Sequence, residues 1–216
     1  YVVFGKSSGF SSSLDLSSLD GSTGFRLDGV DADDYSGVSV SSAGDVNGDG
    51  YGDIIIGAYG AAPDGNSSAG ESYVVFGKSS GFSADIDLSS LDGSTGFRLD
   101  GVDADDQSGR PVSSAGDVNG DGYDDVIIGA WAADPDGIKT GASYVVFGKA
   151  SGWSAILDLS SLDGNNGFRL DGVDGGDYSG SWVSNAGDMN ADGYDDVIIG
   201  AYRANAITGE SYVVFG

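Results

Sequence analysis

The chain has 216 residues, with 34 acidic and 9 basic side chains and a formal net charge of −25 at pH 7. Such acidity argues against binding to nucleic acid or anionic membranes, whereas 39% hydrophobic and 11% aromatic residues suffice for a folded core. Because His and Cys are both absent, the chain cannot form a His-assisted or thiolate nucleophile, a zinc site of the usual ligands or a disulfide framework.

An internal repeat organises the whole sequence. The string Tyr-Val-Val-Phe-Gly begins at Tyr1, Tyr73, Tyr144 and Tyr212, which gives spacings of 72, 71 and 68 residues. The same short blocks recur in the same order between these marks, so the chain consists of three tandem units of one supersecondary element. Units of this length exclude the short-period solenoids and are typical of a propeller blade.

All the predicted elements are β-strands, because β-branched and aromatic runs are separated by Gly, Asp, Asn and Ser and helical periodicity is absent. The chain opens with the third and fourth strands of a blade, at residues 1–4 and 25–27. The four strands of a complete unit are predicted at 111–115, 125–130, 143–147 and 168–170. The chain closes with a first, second and third strand, the last of them at 211–215. Four antiparallel strands per unit are the content of a blade.

An acidic loop of nine residues joins the first and second strands of each unit, with the pattern Asp-x-Asn-x-Asp-Gly-Tyr-x-Asp. Oxygen-bearing side chains at positions 1, 3 and 5 of a tight turn converge, and the carbonyl of position 7 can add another oxygen. A cage of oxygens with three carboxylates suits a hard cation, and its flexibility favours calcium over magnesium. We therefore predict three calcium sites, formed by Asp45, Asn47, Asp49, Tyr51, Asp53, Asp117, Asn119, Asp121, Tyr123, Asp125, Asp188, Asn190, Asp192, Tyr194 and Asp196.

These loops differ from an EF-hand in their second half. An EF-hand has a bidentate Glu at position 12, where this chain has Ile56, Ile128 and Ile199. The alternative is an ion-free turn, since Asp, Asn and Gly favour turns in any case. Three clustered carboxylates repel one another unless a cation lies among them, so we predict that calcium clamps each turn structurally.

At these motifs the repeat resembles the FG-GAP repeat, the blade unit of the integrin α-subunit propeller and of many bacterial surface proteins. The Phe-Gly element is present as Phe4-Gly5, Phe76-Gly77, Phe147-Gly148 and Phe215-Gly216, and the second element as Gly57-Ala58, Gly129-Ala130 and Gly200-Ala201. The chain departs from the family where Tyr59, Trp131 and Tyr202 replace a proline. The resemblance implies a β-propeller with calcium in the loops of one face and a role in adhesion, ligand binding or scaffolding.

We interpret residues 1–216 as tandem FG-GAP-like propeller repeats, divided into a partial blade (1–28), two blades (29–100 and 101–171) and a second partial blade (172–216). Three units cannot close a ring, because propellers have roughly four to eight blades. Two interpretations stay open: the chain is part of a longer protein, or copies associate through their terminal strands by β-augmentation into a ring or filament.

These features predict a calcium-stabilised structural or adhesive module located outside the cell or on its surface, because extracellular modules bind calcium at about 10⁻⁴–10⁻³ M. We expect no enzymatic activity, since every well-placed carboxylate belongs to a metal loop. The longest apolar stretch, 126–133, is too short to cross a membrane. Two alternatives remain: a non-catalytic domain of a larger secreted protein, and a lectin whose aromatic residues at 35, 59, 131, 178 and 202 stack on sugars. The sequence therefore leaves both a protein ligand and a glycan ligand as alternatives.

Overall fold

A computed structural model describes residues 1–7, 9–134 and 138–216, and in these residues the chain is all-β. Its helical segments are single turns at Leu16–Ser18, Pro63–Gly65, Leu88–Ser90, Leu159–Ser161 and Ala204–Ile207. Within the described ranges, none of these helices has the length and apolar character needed to cross a membrane. The strands in chain order are β1 (Val2–Val3), β2 (Gly24–Asp28), β3 (Ser39–Gly44), β4 (Asp53–Ala58), β5 (Glu71–Val75), β6 (Asp85–Asp87), β7 (Gly96–Asp100), β8 (Val112–Gly116), β9 (Asp125–Ala130), β10 (Ala142–Val146), β11 (Ile156–Asp158), β12 (Gly167–Asp171), β13 (Ser179–Gly187), β14 (Asp196–Ala201) and β15 (Glu210–Val214).

Two of the sheets contain the predicted blade of four antiparallel strands. One has the order β3-β4-β5-β7 and the other β8-β9-β10-β12, and consecutive strands in each are antiparallel. Two smaller sheets, β1-β2-β6 and β13-β14-β15, hold the strands at either end of the chain. The predicted all-β class with propeller blades is therefore confirmed.

The core explains the strand boundaries. Strand β9 coincides with the predicted 125–130, and all six of its residues are buried, as a run that is apolar on both faces requires. Pro111 immediately precedes β8, which lies at the edge of its sheet, where a residue without an amide hydrogen is tolerated. The first strands of neighbouring blades, β3, β8 and β13, pack side by side.

An additional strand, which the sequence did not predict, joins each of two sheets, as the third strand of one and the fifth strand of the other. Strand β6 pairs in parallel with β2, and β11 pairs in parallel with β7. Both belong to the connection between the third and fourth strands of a later unit, which crosses onto the preceding blade. We call these connections, residues 77–87 and 148–158, the straps.

Each strap is held by an aromatic stack as well as by its strand. Phe82 stacks on Phe25 with ring centroids 4.7 Å apart, and Trp153 stacks on Phe97 at 4.1 Å. Neighbouring units are therefore joined through both backbone hydrogen bonds and buried aromatic area, which makes the repeat array continuous.

The Gly-Ala element lies in close contact with the next blade at Gly57 and Gly129. A Cβ atom added to Gly57 would lie 1.7 Å from the carbonyl oxygen of Gly109, and one added to Gly129 would lie 2.1 Å from that of Gly180. No side chain fits at such a distance, so glycine is required there for the packing of one blade on another.

A buried polar cluster distinguishes the two complete blades and supports a test. In the first, Tyr73 donates a hydrogen bond to buried Glu71, and a guanidinium nitrogen of Arg98 lies 3.5 Å from that carboxylate. In the second, Ala142 takes the place of the glutamate, and the buried Tyr144 hydroxyl has no hydrogen-bond partner among the described residues.

We expect the substitution Glu71→Ala to lower the free energy of unfolding by about 1–3 kcal/mol, because it leaves the Tyr73 hydroxyl buried without an acceptor. The matched control is Glu210→Ala at the equivalent place in β15, where the glutamate is exposed, and its cost should stay below about 0.5 kcal/mol. Urea denaturation of both variants measures the difference, and equal costs would contradict this account of the cluster.

Candidate metal centres

The three predicted metal loops connect β3 to β4, β8 to β9 and β13 to β14, so they all lie at the same end of the second strands. Their ninth residues, Asp53, Asp125 and Asp196, are the first residues of those second strands and are buried. The other acidic residues of the loops are half-buried or exposed. Each loop therefore offers one buried carboxylate beneath a set of accessible oxygen atoms.

The first and fifth residues of each loop organise its backbone. In the second loop, the carboxylate of Asp117 accepts hydrogen bonds from the amides of Asp121 (3.1 Å) and Gly122 (2.9 Å), and Asp121 accepts one from Tyr123 (3.0 Å). The same three hydrogen bonds occur in the first and third loops. Since the pattern repeats in every copy, the loop is a defined structure that keeps positions 1 and 5 adjacent.

The third residue completes the accessible cluster. The Asn47 amide donates to Asp49 at 3.1 Å, and the equivalent contact is 2.9 Å for Asn119 and Asp121 and 2.7 Å for Asn190 and Asp192. The structure thus brings the predicted side chains at positions 1, 3 and 5 together in all three loops.

The ninth residue links the loop to the third strand. Asp125 accepts hydrogen bonds from the amides of Val118 (3.0 Å) and Gly148 (2.8 Å), and Asp53 makes the equivalent bonds to Val46 (2.9 Å) and Gly77 (2.7 Å). Burial nevertheless raises the pKa of Asp53 and of Asp125 to about 7. A nearby cation favours the charged carboxylate and would offset this desolvation.

The glycine of the Phe-Gly element therefore has a role at the site that the sequence did not reveal. Besides donating to the ninth residue, it lies against the backbone of the loop: a Cβ atom would be 2.4 Å from the Gly52 carbonyl oxygen at Gly77 and 2.5 Å from the Asp124 carbonyl oxygen at Gly148. The recurrence of Phe-Gly after every third strand was the available signal, but the contact connects residues more than 20 positions apart.

Neighbouring loops are also connected to one another. The carboxylate of Asp124, at position 8 of the second loop, accepts a hydrogen bond from the Asp45 amide at 2.7 Å, and Asp195 does the same for Asp117 at 3.1 Å. The ring of Tyr123 lies against Gly48, where an added Cβ would be 2.4 Å from a ring carbon. Position 8 of one loop therefore contacts position 1 of the preceding loop, so a structural change in one loop can reach the next.

The donor chemistry of these loops fits calcium. Within the described ranges, no three acidic side chains already converge as a bound ion would require. An ionised carboxylate, however, has about four acceptor positions, and the backbone amides occupy only part of them. The remaining oxygen atoms at positions 1, 3, 5 and 9 are all hard ligands, as calcium prefers.

A second acidic segment precedes β8 and contains Asp103, Asp105 and Asp106. Asp106 is only 3% exposed, and its Oδ1 atom has no hydrogen-bond partner among the described residues. Burial raises the pKa of Asp106 to about 6. An acid whose pKa is higher in the folded than in the unfolded chain loses stabilising effect as the pH rises, so ionised Asp106 opposes folding at pH 7.

We therefore expect Asp106→Asn to raise the free energy of unfolding by about 1–2 kcal/mol at pH 7, and by less than half of that at pH 4.5, where the folded protein keeps Asp106 protonated. Urea denaturation at both pH values, at constant calcium, measures the effect. The control Asp103→Asn changes an exposed residue of the same turn and should stay within about 0.5 kcal/mol. A gain for Asp106→Asn that does not depend on pH would contradict the role of its ionisation.

Comparison with known proteins identifies the repeat. The FG-GAP repeat matches residues 36–75, 111–146 and 179–214, just over half of the chain. The chain belongs to the FG-GAP repeat family. The three matched segments each begin near a first strand, contain a metal loop and end with the third strand. Both the FG-GAP resemblance and the predicted propeller blades are thereby confirmed.

Relatives of this FG-GAP protein include much longer chains. It is 29% identical over 183 residues to integrin alpha-4 of Xenopus laevis, which covers 84% of this chain and 16% of that protein. It is 32% identical over 166 residues to phosphatidylinositol-glycan-specific phospholipase D of Bos taurus, covering 76% and 18%. Human integrin alpha-6 is 36% identical over 86 residues, covering 39% and 7%. The chain therefore spans less than a fifth of the length of these curated relatives.

Proposed function

We propose that this FG-GAP chain is a calcium-stabilised structural or adhesive propeller module that acts outside the cell or on its surface and performs no catalysis. The observation that carries the proposal is the threefold recurrence of one hydrogen-bonded loop, with accessible oxygens at positions 1, 3 and 5 above a buried carboxylate at position 9. The turn preferences of Asp, Asn and Gly explain one loop of this kind. Three copies with the same contacts indicate a common requirement, which we propose is the binding of a metal ion.

Electrostatics supports calcium as that requirement. Each loop places Asp at positions 1, 5 and 9, and the chain as a whole carries a net charge of −25. Three bound Ca²⁺ ions would add six positive charges at these acidic loops, which lowers both local and overall repulsion. The ions would also hold the start of each second strand against the exit of the third strand through Asp53, Asp125 and Asp196.

The same residues support the proposed location and the proposed lack of catalysis. Sites with an affinity of about 10⁻⁴–10⁻³ M are filled outside cells, where calcium is abundant, but not in the cytosol. The recurrent carboxylates that could serve as acid and base are hydrogen-bonded to loop backbone. We therefore propose that the acidic groups hold structure rather than transform a substrate.

Counting bound ions tests this function. Isothermal titration with CaCl₂ should give three sites per chain, and Asp49→Ala, Asp121→Ala and Asp192→Ala should each remove one of them. The control Asp105→Asn changes an exposed acidic residue outside the loops, in a left-handed backbone conformation that Asn tolerates, and should leave three sites. If the loop variants bind as much calcium as the unchanged protein, the proposal is wrong.

Self-association through the terminal strands, or continuation into a longer chain, stays a prediction. Among the described residues, strand β15 has one neighbour in its sheet, β14, and its outer side is largely exposed. An edge of this kind can accept a further strand by β-augmentation. Multi-angle light scattering across a range of protein concentrations distinguishes a monomer from a ring or a growing filament.

A further inference from the structure

A row of aromatic rings and arginine side chains crosses the junctions between blades. Tyr35 stacks on Tyr59 with ring centroids 5.2 Å apart. The guanidinium of Arg110 lies 5.5 Å from the ring centre of Tyr59 and 5.1 Å from that of Trp131. Arg110 therefore lies near one ring from each of two consecutive blades.

The row continues into the third unit. Trp131 contacts Tyr178 edge to face at 5.1 Å, and Tyr178 stacks on Tyr202 at 5.8 Å. The guanidinium of Arg203 lies 4.9 Å from the ring centre of Tyr178. We call this row the aromatic strip; it consists of Tyr35, Tyr59, Arg110, Trp131, Tyr178, Tyr202 and Arg203.

The aromatic strip lies at the opposite end of the blades from the metal loops. Tyr59, Trp131 and Tyr202 directly follow the last residues of β4, β9 and β14, whereas the metal loops end at the first residues of the same strands. A strand of six residues is about 20 Å long. The strip is therefore a separate surface whose chemistry does not depend on the calcium ligands.

Positive charge is unusually concentrated on the aromatic strip. Of the nine cationic side chains in the protein, Arg26, Arg98 and Arg169 form ion pairs with acidic neighbours. Lys6, Lys78 and Lys149 lie over rings of the connections between third and fourth strands. The remaining three, Arg110, Lys139 and Arg203, all lie against rings of the strip. Arg110 and Arg203 form no ion pair within the part of the chain that the structure describes.

A cleft of about 240 Å³ opens beside Arg110 and is lined by Arg110, Trp131, Ser181, Trp182 and Tyr202. Trp182 is 75% exposed and Tyr202 is 50% exposed, so flat ring surface is available to a ligand. The indole N–H of Trp131 is buried and has no hydrogen-bond partner among the described residues. The cleft is smaller than the usual 300–1,000 Å³ of sites for larger organic ligands, and its size suits one sugar ring.

We propose that this cleft binds a uronate unit of an acidic saccharide. The guanidinium fork of Arg110 pairs with a planar carboxylate through two parallel hydrogen bonds. The rings of Trp182 and Tyr202 present apolar faces that the C–H face of a pyranose covers, whereas an acidic amino acid side chain would leave them in water. The acidic loops lie about 20 Å away, and at physiological salt, where charges are screened over about 8 Å, they do not repel the bound carboxylate strongly.

Titration with a glucuronate-containing tetrasaccharide at 0.15 M salt and constant calcium tests the site. Calorimetry should show saturable binding accompanied by a change in tryptophan fluorescence, because two of the three tryptophans line the cleft. Arg110→Met should weaken binding by about tenfold or more, and Arg110→Lys, which keeps the charge but loses the fork, by about threefold or more. Each variant should have the melting temperature of the unchanged protein, which excludes unfolding or loss of calcium as the cause of weaker binding.

The matched control is Lys149→Met, which also removes one positive charge from above an aromatic ring, that of Trp153, at 4.6 Å. Its affinity should stay within about twofold of the unchanged protein, because surface charges away from the site contribute little. Equal losses in Arg110→Met and Lys149→Met would overturn the site, as would the absence of saturable binding. Equal affinity for the methyl-esterified saccharide would overturn carboxylate recognition, and equal affinity for tetraglutamate would assign the cleft to acidic peptides instead. Loss of calcium binding alone would contradict the function proposed above but not this site.

Discussion

Removal of calcium is expected to lower the melting temperature of this protein by about 8–32 °C. At 10 mM CaCl₂, sites with dissociation constants of about 10⁻⁴–10⁻³ M each stabilise the folded state by about 1.4–2.7 kcal/mol. Three such sites contribute about 4–8 kcal/mol, and each kcal/mol moves the midpoint of a chain of this size by about 2–4 °C. The effect is large because the same loop occurs three times and the loops are in contact through Asp124 and Asp195.

Differential scanning calorimetry in CaCl₂ and in excess EGTA measures this shift. The control is the same concentration of MgCl₂ after chelation, which should restore only a minor part of the midpoint, because magnesium requires a stricter octahedral geometry and keeps its water. An unchanged midpoint in EGTA would contradict a structural role for calcium, and full recovery in magnesium would contradict the choice of metal.

The substitution Gly148→Ala is expected to lower the free energy of unfolding by about 3–4 kcal/mol, although it adds a single methyl group. The new Cβ would lie 2.5 Å from the Asp124 carbonyl oxygen and 3.0 Å from that of Val46. Because both neighbours are backbone atoms of metal loops, neither can move without disturbing its loop. The shift would also weaken the 2.8 Å hydrogen bond from the Gly148 amide to buried Asp125.

Gly5→Ala supplies the matched control for this prediction. Gly5 occupies the same place in the first Phe-Gly element, but no atom of the described residues lies within 4 Å of an added Cβ there. Its effect should stay within about 0.5 kcal/mol. Guanidinium denaturation compares the two variants, and calorimetric titration should show that Gly148→Ala also weakens calcium binding. A similar small effect at both glycines would contradict the contact between the third strand and the metal loop.

Features encoded over a few residues could be predicted from the sequence. The limits of β9 follow from a continuous apolar run bounded by Asp125 and the Gly-Ala element, and the arrangement of positions 1, 3 and 5 follows from the turn preferences of Asp, Asn and Gly. The edge position beside Pro111 follows from its missing amide hydrogen. Repetition strengthened the signals of the apolar run and of the acidic loop, whereas the proline occurs in one unit alone.

Features that depend on distant residues could not be predicted in the same way. Strands β6 and β11 have three residues each and pair in parallel with a strand of the preceding blade, so no local pattern announces them. The hydrogen bond between Gly148 and Asp125 joins the Phe-Gly element to the metal loop, and neither motif by itself indicates this contact. The aromatic strip likewise forms only when Tyr59, Trp131 and Tyr202 from successive units come together. The sequence offered these positions as the sugar-stacking aromatics of a lectin, but no local pattern placed the arginines between them.

Anomalous diffraction from crystals grown with CaCl₂ tests the central claim most directly. We expect three calcium peaks per chain, one in each metal loop, with oxygen atoms of positions 1, 3, 5 and 9 at about 2.3–2.6 Å from the ion. Peaks confined to lattice contacts, or loops without any peak at saturating calcium, would show that these carboxylates organise the turns without a metal ion.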